Sequence, residues 1–164
     1  MKFESYKDMK ISLSKSKIIV CLEENNLKEL SVEIGFIKSL GFEENDIVTF
    51  MYQIINNSLQ LVELNTLLYA FTKINEYYNT NLNVESYANL SYFYINDESS
   101  ISPYKLKKYM SDDFLENCHE DFLILFSAYY LEKLLRVTCD LDEIKRINIR
   151  LKNVMNEVNL KNGR

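Results

Sequence analysis

Only one histidine, His119, and three cysteines, Cys21, Cys118 and Cys139, occur in the 164 residues. A structural zinc site takes four Cys or His ligands at short paired spacings, and a redox centre takes two neighbouring thiols in an electropositive setting. Neither pattern is present. Cys21 and Cys139 sit in apolar runs, and Cys118 is flanked by Glu116, Glu120 and Asp121, which oppose a thiolate. The cysteines therefore read as reduced core thiols of a reducing compartment. On one helix Cys118 and His119 point about 100° apart and do not converge on a metal. Glu116 and Glu120, four apart, share a helical face and could hold a hard cation weakly, although a solvated acidic face is the simpler reading. The carboxylate pairs Asp112/Asp113 and Asp140/Asp142 fall where helix N-termini are expected, and the helix dipole explains them. With no Gly-x-Ser-x-Gly turn and glycines only at 35, 41 and 163, no nucleophile elbow or phosphate-cradling loop exists. The expectation is a non-enzymatic protein with no metal and no cofactor.

The chemistry left is recognition. Tyr77, Tyr78, Tyr87, Tyr92, Phe93, Tyr94, Tyr104 and Tyr109 crowd one third of the chain. Adjacent pairs on one helix cannot all point inward, and tyrosine at a surface is a good interface anchor. Glu23, Glu24, Glu29, Glu33, Glu43, Glu44 and Asp46 face only Lys28 and Lys38 within the same stretch. Such a surface can steer a basic partner. The expected partner-binding residues are Tyr77, Tyr78, Tyr92, Tyr94, Glu43, Glu44 and Asp46, set against the simpler reading of core aromatics and a solvated acidic face.

These residues need helices to carry them. The chain holds 47% hydrophobic and 26% charged residues but 3 Gly and 1 Pro, too few for the frequent turns of a β-sandwich. Its length suits one domain, 1–164. Leu27, Leu30, Ile34, Ile37 and Leu40 form a 3-4 stripe that stops at Gly41-Phe42, the pattern of a left-handed cap followed by a returning apolar residue. Asn45 or Asp46 then caps a second helix from Ile47. Residues 47–78 carry only Glu63, Lys73 and Glu76, so helices over 46–57 and 59–78 should be buried nearly all round. Val84, Tyr87, Leu90 and Phe93 suggest a helix over 84–95, and 96–100 a loop. Ser102-Pro103 opens a short helix to Met110. The longest helix is expected over 112–137, at the centre of the bundle. Asp140 to Glu143 resembles a capping box opening a helix over 141–160, with Ile144, Ile147, Leu151, Val154 and Val158 in a stripe. That stripe spans two heptads, so a homodimer through 141–160 is less favoured than packing on its own bundle. Residues 1–26 are ambiguous, because Met9 to Ser14 alternates like a short strand. The fold expected is all-α: a compact bundle of six or seven helices, with a short N-terminal strand or irregular segment.

Charge narrows the setting. Residues 1–20 hold five Lys against Glu4 and Asp8, and residues 144–164 six basic residues against Glu157, around an acidic body within a net charge of −5. The basic ends more simply satisfy the acidic body than bind nucleic acid. A helix-turn-helix over 27–57 is rejected, since its recognition helix has no Lys or Arg and follows Glu43, Glu44 and Asp46. No stretch is long and apolar enough to span a bilayer, and no N-terminal signal is visible, so a cytoplasmic protein is expected. The Asn, Ile, Lys and Tyr bias fits an AT-rich genome, bacterial or phage. Together these point to a small regulatory, inhibitor or immunity-type protein acting by protein–protein contact. The alternatives are a helical sensor for an apolar small molecule, with the neutral helices around a cavity, or an acidic nucleic-acid mimic that inhibits a basic enzyme.

Overall fold

The N-terminal 26 residues decide the first departure from expectation. In the computed structural model, which describes residues 3–57, 62–97, 101–137 and 140–161, they form a 22-residue helix, α1 (Phe3–Glu24). The strand-like alternation is misleading because Met9 and Leu13 are exposed, at 57% and 59%. The face that packs inward is Ser14, Ile18, Cys21 and Leu22, a 4-3-1 pattern half made of a hydroxyl and a thiol. Every described element is a helix, and among the described residues there is no strand. The helices gather into two compact units, Met1–Asn96 and Asp97–Arg164.

In the first unit, α1 is followed by α2 (Leu27–Ser39), α3 (Glu44–Asn56), α4 (Leu64–Tyr78) and α5 (Val84–Ile95). The α2 stripe is buried as its spacing requires, with Leu30, Ile34 and Ile37 at 0–1% exposure. Gly41 ends it at φ +90°, donating its N–H to Lys38 O at 2.9 Å while Phe42 N–H reaches Ile37 O at 3.3 Å. These are the two bonds of a Schellman cap, which needs a residue at ease with positive φ. Phe42 then turns back edge-on to Phe50 of α3, 6.5 Å away. The cap of α3 lies earlier than Asn45 or Asp46: Glu43 is at the N-cap position and the Asp46 carboxylate accepts its N–H at 3.0 Å. The next helix starts at Leu64 instead of 59. Its first turn is pinned by Asn25, itself left-handed at φ 56°, whose Oδ1 accepts Glu63 N–H at 3.0 Å and the Thr66 hydroxyl at 2.8 Å. Residues 58–61, part of the expected neutral segment, lie outside the described residues.

Packing runs α1 on α2, α2 on α4, α4 on α5, and α3 on both α4 and α5. The neutral helices do bury their apolar residues: Ile47, Val48, Met51 and Ile55 of α3 and Leu67, Phe71 and Ile74 of α4 are 0–1% exposed. Each such side chain contributes about 1.5–3 kcal/mol of transfer free energy. The α4–α5 turn is shaped by Asn75, whose Oδ1 accepts the Thr80 hydroxyl and Leu82 N–H while its Nδ2 donates to Leu82 O, at 2.6, 2.9 and 2.9 Å.

The second unit comprises α6 (Pro103–Lys107), α7 (Asp112–Asn117), α8 (Glu120–Val137) and α9 (Leu141–Lys161). The single helix expected over 112–137 is broken at Cys118, which is extended at φ −73°, ψ 142°. Glu120 and Asp121 begin α8 in its first turn, where the dipole favours them. Hence Cys118 and His119 are not neighbours on a helix, and Glu116 and Glu120 do not share a helical face. This break and the added α1 raise the count above six or seven, to nine helices among the described residues. α8 remains the apolar element of its unit, with Phe122, Leu123, Phe126 and Tyr130 at 0–1% exposure, packed on α9 and α6. Asp140 caps α9 through Glu143 N–H at 3.1 Å, but the Glu143 carboxylate turns into the unit instead of closing a capping box. Ile147 and Val154 of the α9 stripe are buried, Ile144 and Leu151 half-buried. The side chain of Val158, and Cys139 and residues 98–100 altogether, lie outside the description. Cys21 and Cys118 are both buried. Among the described residues no helix is long and apolar enough to cross a membrane.

Candidate functional site

The expected binding residues divide between the two ends of α3. At its N-terminal end, Glu43, Glu44 and Asp46 are all exposed. The last turn of α4 presents Tyr77 and Tyr78 to the same corner. Tyr78 is half-buried; burial first, and the Asp46 charge second, push its phenol up to about 12, so it stays neutral. Its hydroxyl finds no protein hydrogen-bond partner, and the Lys38 ammonium stands 6.0 Å from its ring centre. At the other end, Tyr94 donates to Asn56 Oδ1 at 3.1 Å and Tyr92 packs edge-on to Phe93. Both are half-buried. Asp46 and Asn56 are ten residues apart, about 15 Å along the helix. Tyr77, Tyr78 and the three carboxylates therefore share one corner, while Tyr92 and Tyr94 stand apart from it.

Tyr77 is the residue the backbone accommodates. Its ring lies across α2 at Gly35, where an added Cβ would meet Cε1 and Cζ at 3.0 Å. Its hydroxyl is 3.3 Å from that of Ser31. Tyr77 keeps 37% of its surface exposed, and Val32 and Phe36, each one position after the Ser31 and Gly35 that meet it and so about 100° further round α2, expose 53% and 44%. Gly35, Val32 and Phe36 are not among the binding residues expected from the sequence. The signal available was that Val32 and Phe36 are apolar residues off the buried stripe of α2. The corner thus combines the partly exposed Tyr77 with the acidic rim of α3, and α2 presents Val32 and Phe36 on its next face round.

The second unit holds a buried ionic cluster. The Glu143 carboxylate, 7% exposed, accepts from the Tyr130 hydroxyl at 3.2 Å, pairs with Arg146, and lies 3.6 Å from the Lys107 ammonium. Burial raises its pKa, but the bonds and charge of Arg146, with Tyr130 and Lys107, outweigh that and leave it below its ordinary value. Arg146 also binds Asp112 at 2.9 Å and Met110 O at 2.8 Å, and Arg150 donates to Leu115 O and Glu116 O at the end of α7. These arginines of the basic C-terminal segment are held by groups of their own unit. Nearby, Lys133 is 4% exposed and paired at 2.9 Å with Asp97, which also accepts the Tyr129 hydroxyl at 3.1 Å. Each acid here is matched by a base, the arrangement of a structural network. Among the described residues, no group of three or more His, Cys, Asp or Glu side chains could hold a metal ion. No protein family, curated protein or solved structure matches the chain.

Proposed function

We propose that this is a non-enzymatic interaction protein, a small regulator, inhibitor or immunity-type factor, which docks a basic partner protein on the α2–α3–α4 corner. The observation that carries this reading is Tyr77 lying over Gly35 with 37% of its surface in solvent, next in the chain to Tyr78, whose phenol feels the Asp46 charge of the acidic rim. Rigid aromatic and aliphatic side chains at the middle of a contact supply most of the affinity, and charges at its edge supply speed and orientation. Glu43, Glu44 and Asp46 serve as that edge. The filled interior of α3 and α4 favours a protein ligand over an apolar small molecule enclosed between those helices.

The test is affinity purification from the native host with wild-type protein, Tyr77→Ala, Glu43→Lys/Glu44→Lys and Tyr92→Ala. A specific partner should be lost with the first two variants, kept with Tyr92→Ala, and bound more slowly as salt rises. A partner retained equally by all variants, each shown to be folded by circular dichroism, refutes the assignment.

A further inference from the structure

A groove of about 360 Å³ runs between α1 and α2, with Val20, Cys21, Glu24, Glu29, Glu33 and Lys17 in its lining. Glu33 is two positions from both Ser31 and Gly35, so it lies about 160° round α2 from the Tyr77 contact. Two of the lining side chains are buried and short of partners. Glu33, 8% exposed, accepts the Ser14 hydroxyl at Oε1 at 3.0 Å. Its Oε2 has no protein partner and keeps contact with solvent, and no cation among the described residues pairs with it. A carboxylate withdrawn from water is ordinarily matched by a cation or by several donors. The Cys21 thiol, 7% exposed, makes no hydrogen bond among the described residues. Burial first, and then Glu33, Glu29 and Glu24, push its pKa up, so all three carboxylates act on the thiol. Against them the lining offers one ammonium, that of exposed Lys17.

We propose that this groove binds a linear aliphatic diamine or polyamine, whose ammonium groups pair with Glu33 and with Glu29 or Glu24 while its methylene stem lies on Val20 and Cys21. The carboxylates are strung out: Glu29 and Glu33 are about one turn apart, roughly 6 Å along α2, and Glu24 is the last residue of α1. Among the described residues no three acids or thiols could close on one metal ion, so a fitting cation has to bring its charges apart. An aliphatic chain with an ammonium at each end does that, and its stem covers apolar surface as a lysine side chain does. Like charges four apart on a helix repel, so the occupant also relieves a cost that α2 carries when the groove is empty. The site is separate from the acidic rim of Glu43, Glu44 and Asp46 and does not depend on a protein partner.

The test is isothermal titration calorimetry of the full chain with putrescine and with spermidine, at fixed pH and ionic strength. One saturable site is expected. Glu33→Gln, which keeps an acceptor for Ser14, should weaken it about tenfold or more, and Glu44→Gln should leave it unchanged. Glu29→Gln, at an exposed position where folding is not at stake, should weaken it severalfold. Butylamine, with a single ammonium, should bind about tenfold more weakly than putrescine. Thiol labelling gives a second readout: a cationic methanethiosulfonate should modify Cys21 faster than its anionic analogue, and spermidine should protect Cys21 but not Cys118. Absence of a saturable site, equal losses with Glu33→Gln and Glu44→Gln, or displacement by magnesium at equal concentration overturns the proposal. Saturation by a lysine peptide and by neither amine overturns it as well.

Discussion

Replacing Gly35 by alanine sets two effects of similar size against each other. Alanine in the interior of α2 is favoured over glycine by about 1 kcal/mol of helix propensity. Its Cβ, however, would sit 3.0 Å from two carbons of the Tyr77 ring and 3.2 Å from the hydroxyl oxygen, against an optimal carbon separation of about 3.5–4.0 Å. The ring must move outward by about 0.5–1 Å, weakening its 3.3 Å contact with Ser31. Overpacking costs about 1–3 kcal/mol in a closed core, and this partly exposed ring can swing away, so the low end, about 1 kcal/mol, applies. Gly35→Ala should therefore be near neutral in wild type but stabilising by about 1 kcal/mol in a Tyr77→Ala background. Urea unfolding of the four proteins of this double-mutant cycle reads the coupling directly. Equal stabilisation by Gly35→Ala in both backgrounds would show that the ring does not rest on α2, and the Tyr77 surface proposed for partner binding would go with it.

Three further outcomes follow from the same geometry. Tyr78→Phe removes a hydroxyl that has no protein partner and should be neutral or stabilising by up to about 1 kcal/mol in urea; a loss of that size would show that the hydroxyl is bonded. Because the Glu143 pKa is depressed below its ordinary 4.5, its contribution is fully present above that pH and fades as pH falls through the lower folded value. Glu143→Gln should cost about 2 kcal/mol at neutral pH and flatten the acid limb of a stability–pH curve, and an unchanged limb would contradict the network. Arg150→Ala should lose about 1–2 kcal/mol by uncapping the last carbonyls of α7, with Arg150→Lys between; calorimetry showing no difference would make the arginine dispensable.

How far the chain announces its structure depends on how local each signal is. The α2 helix with its glycine stop, the 84–95 helix and the Ser102-Pro103 start rest on near-neighbour rules, and the structure carries them as read. α1 was obscured because its inward positions include Ser14 and Cys21 while its conspicuous apolar residues point outward. The break at Cys118 has no glycine or proline to mark it. Asn25 acts 38 and 41 residues away on Glu63 and Thr66, a reach no periodicity reveals. The site divides in the same way. Acidic residues close in sequence stay together, whereas the meeting of Tyr77 with Gly35, and the inward turn of Glu143, are products of tertiary packing.

Two of the chain's three glycines fall six positions apart, at 35 and 41, and each is held by something different: one by a ring 3.0 Å from where a Cβ would stand, the other by a backbone torsion and by the Lys7 ammonium 2.9 Å from where its own Cβ would stand. In a saturation library scored for folding, tolerance at these two sites should therefore diverge. Position 35 would accept alanine once the ring above it is trimmed, but position 41 would return glycine even after Lys7 is shortened, since trimming a neighbour relieves a clash and leaves a twisted backbone as it was.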